Sequence, residues 1–152
     1  MSRALFGALA ILAAVTGSTL RSRASEPGER GGPVGYWLTQ SRHGVIEVSR
    51  CGNALCGRIV GIGRAPNAPV PTDSRGRSQC GLMILRGDAQ APDGTWSGSI
   101  TDPRNGTTYS AQLWMDRDDR LHVRGYLGLA LLGQTQTWTR YTGRWSNGCR
   151  MD

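Results

Sequence analysis

Between residues 107 and 127, apolar and polar side chains alternate with a period of two. Tyr109, Ala111, Leu113 and Met115 fall on one face, and Thr108, Ser110 and Gln112 on the other. After Asp118-Asp119 the pattern resumes, with Leu121, Val123, Gly125 and Leu127 on one face and His122, Arg124 and Tyr126 on the other. A strand with one buried face writes this period into a sequence. The two stretches therefore predict antiparallel neighbours whose apolar faces point inward.

The rest of the chain supports the same architecture. Beyond the N-terminal segment no long helical periodicity occurs, and glycine, 22 residues in the whole chain, is abundant among short β-rich runs. Eight strands are predicted: Val34 to Gln40, Val45 to Cys51, Leu55 to Gly61, Leu82 to Arg86, Thr95 to Thr101, Thr107 to Met115, Leu121 to Leu127 and Gln134 to Tyr141. Asp93-Gly94, Asn105-Gly106 and Asp118-Asp119 are hairpin turn sequences, so consecutive strands should pair in order. Asn105-Gly106-Thr107 also fits a glycosylation acceptor, but the tight-turn reading is preferred. The fold class expected is all-β: a single eight-stranded antiparallel up-and-down barrel occupying residues 34–152.

Closure can be read from the two ends of this domain. Gly35-Tyr36-Trp37 opens it and Thr137-Trp138-Thr139-Arg140 ends its last strand. An Arg140 guanidinium lying flat over the Trp37 indole would join first and last strands through a cation–π contact. Residues 62–79 form the one long irregular stretch, with Pro66, Pro69 and Pro71 and the charged Arg64, Asp73, Arg75 and Arg77. Loops of that length often cover a functional mouth, and a lid and a solvated insertion are both open readings.

The N-terminal segment has a different character. Arg3 precedes an apolar run from Ala4 to Val15, and Ser22 and Ala24 satisfy the small-x-small rule. Residues 1–24 are therefore expected to be a signal peptide, followed by a flexible segment, 25–33, and no permanent membrane anchor. Removing residues 1–24 takes away Arg3, Arg21 and Arg23, so the formal charge falls from +7 to +4. All 18 basic residues are arginines, scattered rather than clustered, which argues against nucleic-acid binding. The mature protein is expected to be soluble and periplasmic or secreted.

Export makes the four cysteines disulfide candidates, with three pairings open. Cys51 and Cys56 flank a hairpin-sized turn and should face each other across two strands. Cys80 with Cys149 is then the remaining pair, tying the C-terminal tail to the middle of the chain. Zinc is the rival use of a Cys-x4-Cys spacing, with His43 and His122 as further ligands. It is set aside because exported chains oxidise such pairs, and neither a metal nor any other cofactor is expected.

Several blocks taken together resemble a bacterial family of exported proteins catalogued as domain of unknown function 2147. They are Cys51-Gly52-x-x-x-Cys56-Gly57-Arg58-Ile59-Val60, Gly35-Tyr36-Trp37-Leu38-Thr39, Gly81-Leu82-x-Ile84-Leu85, Asp102-Pro103-x-x-Gly106-x-x-Tyr109, Arg124-Gly125-Tyr126 and Gln134-Thr135-Gln136-Thr137-Trp138. The resemblance runs from Gly35 to Arg140. It implies a lipocalin-like or streptavidin-like barrel in the cell envelope, with no established activity. Cys80 departs from the family pattern, which has an apolar or small residue before Gly81. Residues 62–79 align only loosely, which weakens Asp73, Arg75 and Arg77 as site candidates.

No catalytic constellation stands out. The chain has no Gly-x-Ser-x-Gly, no His-Glu-x-x-His and no cysteine beside a histidine. His43 reads as a turn residue, His122 as an outward-facing one, and Asp116, Asp118 and Asp119 as a solvated hairpin tip. The expected role is therefore not enzymatic: a barrel holding a small apolar or amphipathic ligand, such as a fatty acid or lipid fragment. Its pocket would be lined by Trp96, Tyr109, Leu113, Leu121 and Val123, with Met83 or Leu85 from the fourth strand. Arg64, Arg75 or Arg77 at the mouth would meet an anionic head group. The alternative is an envelope protein-binding module or inhibitor that acts through its loops on a filled barrel.

Overall fold

The computed structural model describes residues 32–152; the expected signal peptide, and residues 25–31 of the segment after it, lie outside the described residues. Eight strands follow in order: β1 (Gly35–Leu38), β2 (Gly44–Cys51), β3 (Ala54–Ile62), β4 (Met83–Gln90), β5 (Trp96–Thr101), β6 (Thr108–Met115), β7 (Leu121–Tyr126) and β8 (Gln134–Arg140). Each pairs antiparallel with its sequence neighbour, and β1 pairs with β8, so the sheet closes into a barrel without a free edge. Trp37 stands opposite Arg140 in the closing register.

Two boundaries differ from the sequence expectation by more than one residue. β1 stops at Leu38 because Thr39 opens a tight turn, its carbonyl and hydroxyl accepting the N–H groups of Arg42 and Gly44. β4 continues to Gln90 instead of ending at Arg86. Its inward position there is Gly87, which leaves no apolar signal, and a register shift between Gly87 and Ala89 breaks the alternation. The bulge brings the β4 backbone so close to β5 that a Cβ on Gly98 would sit 1.8 Å from the Arg86 carbonyl oxygen. Only glycine fits at that crossing.

The two ends of the barrel are unlike. One is closed by the β2–β3, β4–β5 and β6–β7 turns, and its interior is filled by Trp37, Val48, Leu55, Trp96, Leu113, Leu121 and Trp138, all buried. Each such side chain contributes roughly 1.5–3 kcal/mol of transfer free energy. The other end carries the β1–β2 turn (39–43), the β3–β4 connection (63–82), the β5–β6 turn (102–107) and the β7–β8 loop (127–133). The core thins towards it.

The long 63–82 connection is built round Asp73 and does not close this end. The buried Asp73 carboxylate accepts the backbone N–H groups of Arg75 and Arg77 and the Arg77 guanidinium, at 2.7–2.9 Å. Burial opposes ionisation, but these donors outweigh it and hold the carboxyl below its usual range. After β8, residues 141–152 run back along the outer wall, with Trp145 against Tyr36 and a short bridge between Ile62 and Arg150. Both disulfides are present: Cys51–Cys56 across the β2–β3 hairpin, and Cys80–Cys149 between the long connection and the tail.

Candidate functional site: a cavity at the open end

Above the packed floor lies a cavity of about 910 Å³ that opens between the 39–43, 102–107 and 127–133 loops. Inward positions of β2, β3, β5 and β7 supply an apolar wall of Ile46, Ile59, Ile100 and Val123. Gln134 and Gln136 on β8 supply a polar wall, and Trp138 forms the floor beneath them. The indole N–H of Trp138 donates to Gln136 Oε1 at 2.9 Å, which orients that amide. Gly125 on β7 leaves the space between Ile100 and Tyr109 unfilled.

At the rim stand Thr39, His43, Asp102 and Arg104. Arg104 grips both oxygens of Asp102, at 3.0 and 2.6 Å, while its own side chain is 82% exposed. The guanidinium holds the Asp102 carboxyl below the usual range, against the effect of its partial burial. The arrangement places a solvent-exposed ion pair, its guanidinium outermost, beside the opening.

The residues expected to line a pocket are divided by the structure. Tyr109 and Val123 line the cavity. Trp96, Leu113 and Leu121 point inward, as their alternation implies, but sit in the packed floor, where Arg50 lies 5.0 Å from the Trp96 ring centre. Leu85 is also buried there. Met83 is a correction: it is 47% exposed and borders an outer groove of about 210 Å³ beside the 73–77 turn. A register shift between Gly57 and Arg58 changes which β4 residues face inward, so Ile84 takes the cavity position.

The mouth arginines are likewise exchanged. Arg64 is spent on the carbonyls of Ala68 and Gly148, and Arg77 on Asp73; neither lines the cavity, nor does Arg75. Arg104 takes that place. The lid reading of residues 62–79 is also corrected, since only Ile62 and Gln79 of that stretch border the cavity. The polar wall went unread, although its signal was present: Gln134 and Gln136 share strand parity with Trp138 and Arg140.

Barrel closure matches the aromatic and basic bracket. The Arg140 guanidinium lies 4.0 Å from the Trp37 ring centre and donates to the carbonyls of Gly32 and Val34 and to both oxygens of Asp119. On the outer wall, His122 is more than a free surface histidine. Its Nε2 is 2.8 Å from Asp116 Oδ2, its Nδ1 is 3.2 Å from the Thr137 hydroxyl, and its ring stacks on Trp114. The His122 and Arg120 hydrogen bonds, against partial burial, hold Asp116 far below the usual carboxylate range. None of Asp116, His122 and Thr137 lines the cavity. Among the described residues, no three histidine, cysteine or acidic side chains are grouped to hold a metal ion, and no helix is long and apolar enough to cross a membrane.

A family model described as "Uncharacterized protein conserved in bacteria (DUF2147)" matches residues 35–140, from the glycine that opens β1 to the arginine that ends β8. No curated protein and no solved structure matches the chain.

Proposed function

From the premise that the chain belongs to the bacterial family DUF2147, whose description names no activity, we propose that it is an exported binding protein for one small amphipathic molecule. The observation that carries this reading is the cavity of about 910 Å³ above a packed floor, apolar on one side and amide-lined on the other. Specific small-molecule pockets span roughly 300–1,000 Å³ and combine apolar walls with a few placed polar groups. A hydrocarbon tail would lie against Ile46, Ile59, Ile100 and Val123. A polar or anionic head would meet Gln134 and Gln136 or, at the rim, His43 and Arg104. Fatty acids and lipid fragments have this chemistry. Two disulfides, one of them linking residues 69 apart, fit an oxidising compartment such as the periplasm.

The role is binding without turnover. The Asp116–His122–Thr137 array stands on the outer wall, and its Asp116 is also engaged by Arg120. A loop-borne protein-binding module, the other reading that the sequence allows, calls for a filled barrel; the open upper half favours the carrier.

The test has two parts. Native mass spectrometry of the mature protein purified from its own envelope, before and after denaturation, should release a small amphipathic molecule that organic extraction identifies. The delipidated protein should then take up the fluorescent fatty acid cis-parinaric acid, and Gly125→Leu, which fills the space between Ile100 and Tyr109, should weaken uptake at least tenfold. A bare mass together with no uptake of the probe, or uptake that Gly125→Leu leaves unchanged, would overturn the reading.

A further inference from the structure

The β7–β8 loop, Leu127-Gly128-Leu129-Ala130-Leu131-Leu132-Gly133, turns its leucines to solvent. Leu127, Leu129, Leu131 and Leu132 are 65–85% exposed. Isolated exposed leucines are ordinary, but four in six consecutive residues form a patch of the kind that marks an interaction surface. The loop is also held firmly in this pose. Arg124 donates to the carbonyls of Ala130 and Leu131 and to the Thr135 hydroxyl, at 2.7–2.9 Å, and a single 3₁₀ turn spans Ala130–Leu132. An arginine is thus committed to satisfying the loop backbone while the apolar side chains stay outside.

The charge around this loop is uneven in a telling way. The other three connections at the open end carry Arg42, Arg64, Arg75, Arg77 and Arg104 against Asp73 and Asp102, a surplus of three positive charges. The turns at the closed end carry Arg117 and Arg120 against Asp93, Asp116, Asp118 and Asp119, a surplus of two negative charges. Arg140, bound to Asp119, and Arg50, over the Trp96 ring, offset that deficit, so the closed end is balanced and the surplus of positive charge stands at the end that carries the leucines.

We propose that the open end docks on an anionic lipid bilayer, with the leucine loop inserted at the headgroup boundary and the surrounding arginines against lipid phosphates. Shallow insertion of leucines combined with attraction of basic side chains to anionic lipid is the physical basis of interfacial binding. Charge complementarity selects this occupant over a second copy of the chain. A two-fold dimer through this patch would bring two positive ends together. Docking in this orientation places the cavity mouth at the membrane, but the inference rests on the loop and the charges and not on what the cavity holds.

The test is flotation of the mature protein with vesicles of phosphatidylethanolamine and phosphatidylglycerol, compared with phosphatidylcholine alone. The wild type should float with the anionic vesicles, at least tenfold more strongly than with neutral ones, and should be released by raised salt. Leu129→Ser with Leu131→Ser should abolish flotation; neither residue lines the cavity, so uptake of cis-parinaric acid and the thermal midpoint should stay unchanged. Arg42→Asn with Arg75→Gln should reduce the preference for anionic vesicles several-fold; asparagine tolerates the positive φ of residue 42. Gly125→Leu should float as the wild type does, which separates failure of docking from failure of the cavity reading. A wild type that does not float, a double serine variant that floats unchanged, or wild-type self-association that the double serine variant removes would overturn the proposal.

Discussion

Arg140, the last residue of β8, lies over the indole of Trp37 on β1, 4.0 Å from the ring centre, and so joins the two ends of the barrel. Gly35 makes this approach feasible, because a Cβ there would stand 2.6 Å from the guanidinium. Lysine keeps the charge but loses the planar fork and the stacking. Arg140→Lys should lower stability by about 1–2 kcal/mol. A double-mutant cycle with Trp37→Leu in chemical denaturation should return a coupling of roughly 0.5–2 kcal/mol. Additivity of the two substitutions would mean that the contact contributes nothing to closure.

The two disulfides should differ in weight. On the loop-entropy relation, linking Cys51 and Cys56, five positions apart, is worth about 2 kcal/mol, and linking Cys80 and Cys149, 69 positions apart, about 4 kcal/mol. Replacing Cys80 and Cys149 together by serine should therefore lower the denaturation midpoint more than the same change at Cys51 and Cys56. It should also loosen Trp145, which the tail holds against Tyr36, seen as a rise in tryptophan quenching by acrylamide. Equal midpoints for the two variants would refute the ordering.

Acid should weaken the fold through a small set of aspartates. Asp116 is depressed first by its His122 hydrogen bond, and Asp119 first by the Arg140 guanidinium. A carboxylate whose folded pKa lies below its unfolded value, about 3.9, contributes stability above that value and loses it as pH falls through the folded one. Urea midpoints should therefore hold steady from pH 7 to about 5 and fall steadily below 4. Asp116→Asn should flatten this acid limb while lowering the midpoint at neutral pH. An acid limb as steep as the wild type's would remove Asp116 from the account.

The β4–β5 crossing makes a sharper demand. Gly98→Ala would drive a methyl into the Arg86 carbonyl, 1.8 Å away, and the backbone would have to separate. The cost should exceed about 2 kcal/mol, read as a lower thermal midpoint. Gly125→Ala is the control, since its Cβ would meet Ile100 and Tyr109 at 3.5 Å or more and should change stability little. Equal effects would show that the crossing is not tight.

How much of this was legible in the chain can be judged from individual strands. On β6 and β7 the period of two let every inward residue from Tyr109 to Gly125 be read correctly, and the reading failed only at Leu127, which lies beyond the end of β7 and is exposed. On β4 the reading failed at Met83, because the register shift beside Gly57 lies in the pairing with β3 and leaves no trace in local composition. On β8 parity alone would have placed Gln134 and Gln136 inside. Polar residues on an inward face run against the expectation of an apolar interior, so they were passed over.

The sequence by itself determined the eight strands, their antiparallel order, the Cys51–Cys56 hairpin and the bracket of Trp37 and Arg140. These follow from local periodicity, turn chemistry and residue types that have few other uses. Only the tertiary structure decided where the interior is filled and where it is open. That depends on how side chains from eight strands meet at each height of the barrel, and on bulges that change which face a residue takes. It also decided that the leucines of residues 127–132 face solvent, because whether a loop turns its side chains over the mouth or away from it depends on what packs around the loop and not on its composition.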